Sequence, residues 1–227
     1  MTDSSLPVLS QLETRILGVL AEKQYTVPDS YPLTLNSLIL GCNQKTSRNP
    51  LLDVSQSEVL EALDSLRHLS LVIETSGGRV ARYEHNIQAV LRIPEQSVVL
   101  LATLMLRGPQ TAGELRTNSE RLYRFADISS VESFLRELAE RTLGALVMEL
   151  PRQPGMRENR WIHLLSDVPV LDQPIESVSL ETNATEKTAV NELVELKVDV
   201  ARLEAEVRML RKIVDNLCVQ LGVSTDN

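Results

Sequence analysis

The stretch that decides the fold runs from Val54 to Ile87 and reads VSQSEVLEALDSLRHLSLVIETSGGRVARYEHNI. Its first half predicts an amphipathic helix, because apolar residues recur at helical spacing and acidic residues fall between them. Its second half predicts a β-hairpin, because Gly77-Gly78 separates two β-prone runs and glycine accepts the positive φ of a tight turn. A helix followed at once by a hairpin is the second half of a winged helix.

Two further helices are predicted before this stretch. Ser10 begins the first, with Glu13 three residues later in the spacing of a capping box. Thr34 caps the second, and a long polar connector over residues 41–50 leads into the third. We therefore predict a first winged-helix domain over residues 9–92, preceded by a disordered N-terminus at residues 1–8.

The same order of elements returns over residues 93–165, which we predict to be a second winged-helix domain. Pro32-x-Thr34-x-x-x-Leu38 in the first copy matches Pro109-x-Thr111-x-x-x-Leu115 in the second. The expected fold class is mainly α with small β-hairpins (α+β), built as a tandem repeat. Chance periodicity in two leucine-rich regions is the alternative interpretation.

The C-terminal part has a different pattern. Residues 166–188 contain prolines, serines and acids and are predicted to be a linker, whereas residues 189–221 carry a heptad repeat. Valine at a and leucine at d favour a parallel two-stranded coiled coil, which predicts a homodimer. The alternative is a single helix lying back on its own domains. The seam comprises Leu193, Leu196, Val200, Leu203, Val207, Leu210, Val214 and Leu217.

Composition and charge limit the classes of protein to which the chain can belong. The chain has 227 residues and a net charge of −8, and residues 167–227 contribute 12 Asp/Glu against 6 Lys/Arg. The two folded domains are therefore less acidic than the whole chain. No targeting segment or membrane span is recognisable, and the two cysteines show no pairing pattern. We expect a cytoplasmic protein that does not enter a membrane.

No catalytic, cofactor or metal site is recognisable, so we expect the protein not to be an enzyme. The histidines and cysteines lack the spacing of metal ligands, and no phosphate-binding glycine loop is present. We interpret Cys42 as a structural cysteine at a helix end rather than a nucleophile, because no local base is evident. We interpret Glu58, Glu61 and Asp64 as a solvated helix face rather than an acid–base pair.

Nucleic acid remains a possible ligand, but the third helix is poorly suited to a DNA groove. Base edges and phosphates call for cationic or amide side chains, whereas the helix after Val54 is acidic. The cations lie instead in the connector, the turns and the hairpins. The candidate contacts for phosphate or for a partner are Lys45, Arg48, Arg79, Arg82, Arg116, Arg121, Arg124, Arg152, Arg157 and Arg160. A merely solvated surface would also explain these cations.

Four motifs permit a comparison with a family. They read LETRILGVLAEK over residues 12–23, YPLTLN over residues 31–36, CNQKTSRNP over residues 42–50 and RGPQTAGELR over residues 107–116. With them, residues 10–165 resemble the YceH-like family of bacterial proteins. The resemblance implies tandem winged helices. It brings no established activity and no assigned catalytic residues.

Two functional hypotheses follow. The first is a non-enzymatic, DNA-associated protein, such as a transcriptional regulator, that contacts phosphates through its wings and connector loops. The second is a protein–protein adaptor that uses its acidic winged-helix surfaces, similar to the winged-helix accessory subunit of bacterial condensin, with the tail as a dimerisation helix. The relative orientation of the two domains does not follow from the sequence.

Overall fold

The structure, a computed structural model, describes residues 8–75, 80–152, 155–156 and 158–166. These residues form seven α-helices and five short strands in small antiparallel sheets, a mixed α/β architecture. Except for Ser166, the predicted linker and the heptad helix lie outside the described residues. So does the predicted Gly77-Gly78 turn.

The elements follow one order twice. The first half contains α1 (Gln11–Thr26), a short 3-10 helix (Pro28–Ser30), β1 (Leu33–Thr34), α2 (Leu35–Cys42), α3 (Gln56–His68), β2 (Val72–Thr75) and β3 (Arg82–His85). A short helix, α4 (Ile87–Leu91), joins the halves. The second half contains α5 (Glu95–Arg107), α6 (Ala112–Ser119), α7 (Ile128–Ala139), β4 (Val147–Leu150) and β5 (Arg160–His163).

Side-chain caps fix where the helices begin. The Ser10 hydroxyl accepts the Glu13 N–H at 3.2 Å, and the Glu13 carboxylate accepts the Ser10 N–H at 2.6 Å. The same capping box begins α3 and α6, and Thr34 caps α2. These side chains satisfy N–H groups that have no partner within the helix. The helix starts predicted at Ser10, Thr34 and Thr111 are confirmed.

The strands pair in closely similar ways in the two halves. β3 pairs with β2 and also with β1, where Leu33 lies opposite Tyr83. β5 pairs with β4, and a single bridge from Gln110 to Trp161 takes the place of β1. Both hairpins are predicted by the sequence, whereas β1 and α4 are not, because such short elements leave no period to detect.

Matching backbone hydrogen bonds support the internal repeat. Just after α3, the N–H of Leu71 donates to the carbonyl of Leu66 at 2.9 Å. Just after α7, the N–H of Leu146 donates to the carbonyl of Leu138, also at 2.9 Å. Each bond turns the chain from the end of the helix into the hairpin. The bonded residues are five apart in the first half and eight apart in the second, so the two turns share a place in the fold but differ in length.

The two halves share one core, because α1 packs along α5. Gly18 of α1 lies against Leu106 of α5 so closely that a Cβ on Gly18 would come within 2.9 Å of the Leu106 Cγ. Backbone bonds reinforce the junction: Asn49 donates to the Leu106 carbonyl, and Leu9 donates to the Leu165 carbonyl, both at 2.8 Å. α5 is buried on every side from Ser97 to Leu106, so it lies at the centre.

Replacing Gly18 by alanine should test this packing. We expect Gly18→Ala to lower the free energy of unfolding by about 1–3 kcal/mol, because the added methyl group overlaps Leu106 in a filled core. Denaturant unfolding followed by circular dichroism measures the change. Gly113→Ala is the matched control, since its Cβ would meet no atom closer than 3.8 Å. That variant should keep or gain up to about 1 kcal/mol. Equal stability of Gly18→Ala and wild type would contradict the close approach of α1 and α5.

Candidate interaction surfaces

Arg48, predicted as a phosphate contact, lies in a buried ion pair and is not available to a ligand. Its two terminal nitrogens donate to both carboxylate oxygens of Glu22, at 3.2 and 2.6 Å. Its Nε donates to the Gly41 carbonyl at 3.2 Å. Burial alone would raise the pKa of Glu22, but the hydrogen bonds and charge of Arg48 hold this pKa below its ordinary value. The pair ties the connector to α1.

A second buried arginine, Arg15, also ties the connector to α1. Its guanidinium donates to the carbonyls of Cys42 and Pro50, at 3.1 and 2.5 Å. Arg15 is not among the functional residues predicted from the sequence. Its position in the apolar face of α1 was a usable signal, because a charged residue there must find partners. Arg15 and Arg48 together fix residues 42–50 against α1.

Arg82 and Arg160, also predicted as phosphate contacts, have equivalent structural roles in the two halves. Arg82 on β3 donates to the Pro32 carbonyl at 2.7 Å, and Arg160 on β5 donates to the Pro109 carbonyl at 2.9 Å. Each proline stands two residues before the threonine that caps the next helix. Arg160 also pairs with Glu114 at 3.1 Å. These arginines therefore fasten the hairpins to the start of the second helix of each half.

The other candidate cations fall into two groups. Arg79 and Arg157 lie outside the described residues. Five are exposed, namely Lys45, Arg116, Arg121, Arg124 and Arg152. Of these, Arg116 lies in α6 and donates to the Ala126 carbonyl at 3.2 Å, whereas Arg121 and Arg124 lie between α6 and α7. We call these three residues the arginine turn. A small cavity of about 90 Å³ there is lined by Arg116 and Arg124 together with Thr117, Glu120 and Phe125.

The outward face of α3 is acidic, as the sequence indicates. Glu61 and Asp64 are exposed, and the exposed Leu60 lies on the same side of the helix by its spacing. Arg67 divides its charge between Glu74 on the hairpin, at 3.1 Å, and Asp64, at 3.6 Å, so it only partly offsets the charge of this face. We call the surface formed by Leu60, Glu61 and Asp64 the α3 face.

An open groove of about 570 Å³ lies between α7 and the β4–β5 hairpin. Its apolar lining is formed by Ala112, Ile128 and Trp161, and its carboxylates belong to Glu132, Glu149 and Glu158. We call it the acidic groove. Trp161 is not among the site residues predicted from the sequence, since residues from four segments meet here and no local motif connects them.

The buried titratable groups fit a structural role. Cys42 is fully buried, and burial raises the pKa of its thiol to about 12, so it remains protonated. Burial lowers the pKa of His85 and His163 to about 4. We therefore expect the free energy of unfolding to fall as the pH is lowered from 6.5 towards 4, because the unfolded chain takes up protons first. Among the residues that the structure describes, no cluster of His, Cys, Asp and Glu could hold a metal ion.

Comparison with known proteins places the chain in a family. The family described as "Protein of unknown function, DUF480" matches residues 9–156. The chain belongs to the DUF480 family. This match confirms the family resemblance inferred from the four motifs, and it covers α1 to β4.

Close relatives carry the name UPF0502 protein. One from Dechloromonas aromatica is 57% identical over 210 residues, which cover 92% of this chain and 96% of the relative. Relatives from Burkholderia ambifaria and Burkholderia multivorans are 53% and 54% identical over 226 residues, covering 99% of this chain and 94% of each relative. These two alignments extend through the heptad segment. Within the described ranges, no helix is both long and apolar enough to cross a membrane.

Removal of the Arg48 side chain should destabilise the fold. We expect Arg48→Ala to lower the free energy of unfolding by roughly 3 kcal/mol, because the half-buried Glu22 loses its two-bonded partner and keeps only Lys23, at 3.2 Å. Lys45→Ala, three residues away and exposed, should change it by less than about 0.5 kcal/mol. Denaturant unfolding measures both variants. If Arg48→Ala were as stable as Lys45→Ala, the ion pair would not hold the connector.

Proposed function

We propose that the protein is a non-enzymatic, cytoplasmic adaptor built from two tandem winged helices, which recognises other proteins through acidic surfaces. The order helix, extended segment, two helices and hairpin, present in both halves, supports the winged-helix assignment. Fold alone does not give function, so the choice of partner class rests on the chemistry of the exposed surface.

The observation that carries this proposal is the acidic charge of α3, the third helix of the first half. A winged helix that reads DNA presents cations from this helix and its hairpin to the groove and phosphates. Here α3 presents Glu61 and Asp64, and the described hairpin arginines Arg82 and Arg160 bond to backbone carbonyls. Carboxylates on these surfaces repel phosphate and suit a protein partner that carries cations.

Charge reversal on the α3 face should separate a protein partner from nucleic acid. We expect the tagged full-length chain to capture cross-linked protein partners from a nuclease-treated lysate. Capture should fall at least roughly fivefold in the double variant Glu61→Lys/Asp64→Lys, because rim charges steer association. Asp29→Lys/Glu140→Lys is the matched control, since it adds the same charge at exposed positions elsewhere. Partners that vanish with nuclease, or equal capture by both double variants, would contradict the adaptor.

A DNA-associated role is the second candidate, favoured by one observation. Arg116 and Arg124 of the arginine turn line one small cavity of about 90 Å³ together with Glu120, and guanidinium groups are strong donors to phosphate. In this candidate the phosphate contacts come from the turn before α7 rather than from the wings and the connector. Nuclease-sensitive capture in the experiment above, with salt-dependent binding of the purified protein to duplex DNA, would support this candidate instead.

We also propose that residues 189–221 dimerise as a parallel coiled coil. In the full-length chain, Leu203→Lys/Leu210→Lys places charges in the seam and should convert a dimer into a monomer. Ala205→Lys is the control, because position 205 lies on the outward side of the same heptad. Light scattering after size exclusion measures the mass. A wild-type monomer at micromolar concentration, or a double variant that stays dimeric, would contradict the proposal.

A further inference from the structure

The acidic groove between α7 and the β4–β5 hairpin combines an apolar lining with carboxylates, as a binding site for a basic peptide would. We propose that it binds an extended basic segment of a partner protein, in which lysine or arginine residues flank one large apolar side chain. The proposal rests on the adaptor function and names both the site in the second half and the class of ligand. It is independent of the α3 face.

The apolar lining of the groove is firmly held. Trp161 is buried on β5 and exchanges two backbone hydrogen bonds with Gln110, at 2.7 and 3.1 Å. Ala112 is buried beside it at the start of α6, whereas Ile128 at the start of α7 is 45% exposed. A large apolar side chain placed here would cover Ile128 and contact a surface that does not need to rearrange.

The charged lining favours a cation. Among the described lining residues, Glu132, Glu149 and Glu158 face one arginine, Arg152. Glu132 already pairs with Arg136 at 3.4 Å, so Glu149 and Glu158 are the carboxylates that favour a cation. Arg160 does not neutralise these carboxylates, because it is bound to the Pro109 carbonyl and to Glu114. Glu149 accepts one hydrogen bond, from the Asn159 amide at 2.9 Å, and its second oxygen faces no described donor. A lysine or arginine of a partner would therefore meet acceptors, whereas a phosphate backbone would be repelled.

In the first half, an ion pair joins the third helix to the hairpin. Glu74 lies opposite Tyr83 in β2–β3, as Glu149 lies opposite Trp161 in β4–β5. In the first half, Arg67 of α3 reaches across to Glu74 at 3.1 Å and ties the helix to the hairpin. The position equivalent to Arg67 in α7 is Ala139, by the offset of 72 residues between the third helices. The ion pair that bridges helix and hairpin is therefore absent from the described part of the second half.

Trp161 offers a direct readout, because it is the only tryptophan in the chain. The probe is the synthetic peptide Arg-Lys-Leu-Arg-Lys, capped at both ends, titrated into the full-length protein while Trp161 emission is recorded. We expect a saturable change in emission that weakens as salt is added. The same peptide with glycine in place of leucine should bind more weakly, and the peptide Glu-Glu-Leu-Glu-Glu should not bind.

Charge-removing variants locate the site. Glu149→Gln/Glu158→Gln should weaken binding of the basic peptide roughly fivefold, because each exposed pair contributes modestly. Glu120→Gln/Glu140→Gln removes the same charge from exposed positions outside the groove and should bind as wild type does. Thermal unfolding checks that all variants fold. No emission change with the basic peptide, or equal affinity of both double variants, would overturn the groove proposal. That result would leave the adaptor function supported if Glu61→Lys/Asp64→Lys still captured fewer protein partners than wild type from the nuclease-treated lysate.

Discussion

The packing of α1 along α5 is the constraint on which the rest of the structure depends. Each is the first helix of its half, and each buries nearly all its apolar residues against the other half as well as its own. Gly18 permits this approach, because a larger residue would keep the two helix axes apart. Covering a leucine side chain contributes about 1.5–3 kcal/mol, so a shared seam of this length is a major part of the stability. The two halves consequently form one core rather than two separate ones.

Several arginines of this fold have structural roles, in which they bind backbone carbonyls or carboxylates of other segments. Arg15 and Arg48 are buried and bind backbone carbonyls or a carboxylate, which holds the connector in place. Arg82 and Arg160 fasten the hairpins, and Arg67 bridges α3 to its hairpin. The guanidinium group suits this use because its several donors point in fixed directions. The cations that remain exposed in the described part of the second half concentrate in the arginine turn and beside the acidic groove.

The sequence predicts the helices and the hairpins because the signals for these elements are local. Ser10 with Glu13 and Thr111 with Glu114 mark helix starts within four residues, and both capping boxes form. The roles of Arg48, Arg82 and Arg160 could not be predicted in this way. Their partners Glu22, Pro32 and Pro109 lie 26, 50 and 51 residues away in the chain. An exposed arginine and a structural arginine have the same local signature, and only the folded chain distinguishes them.

The hydrogen bond from Leu9 to Leu165 has a topological consequence. It places the beginning of α1 beside the end of β5, with Leu9 and Ser166 bridged in parallel. The chain therefore enters and leaves the described core at one point on its surface, and the path from α1 to β5 is nearly a closed ring. A few residues joining Ser166 to Leu9 would complete that ring, and the order of the halves could then be exchanged by opening the chain near Arg92. Such circular permutation would preserve every contact between α1 and α5.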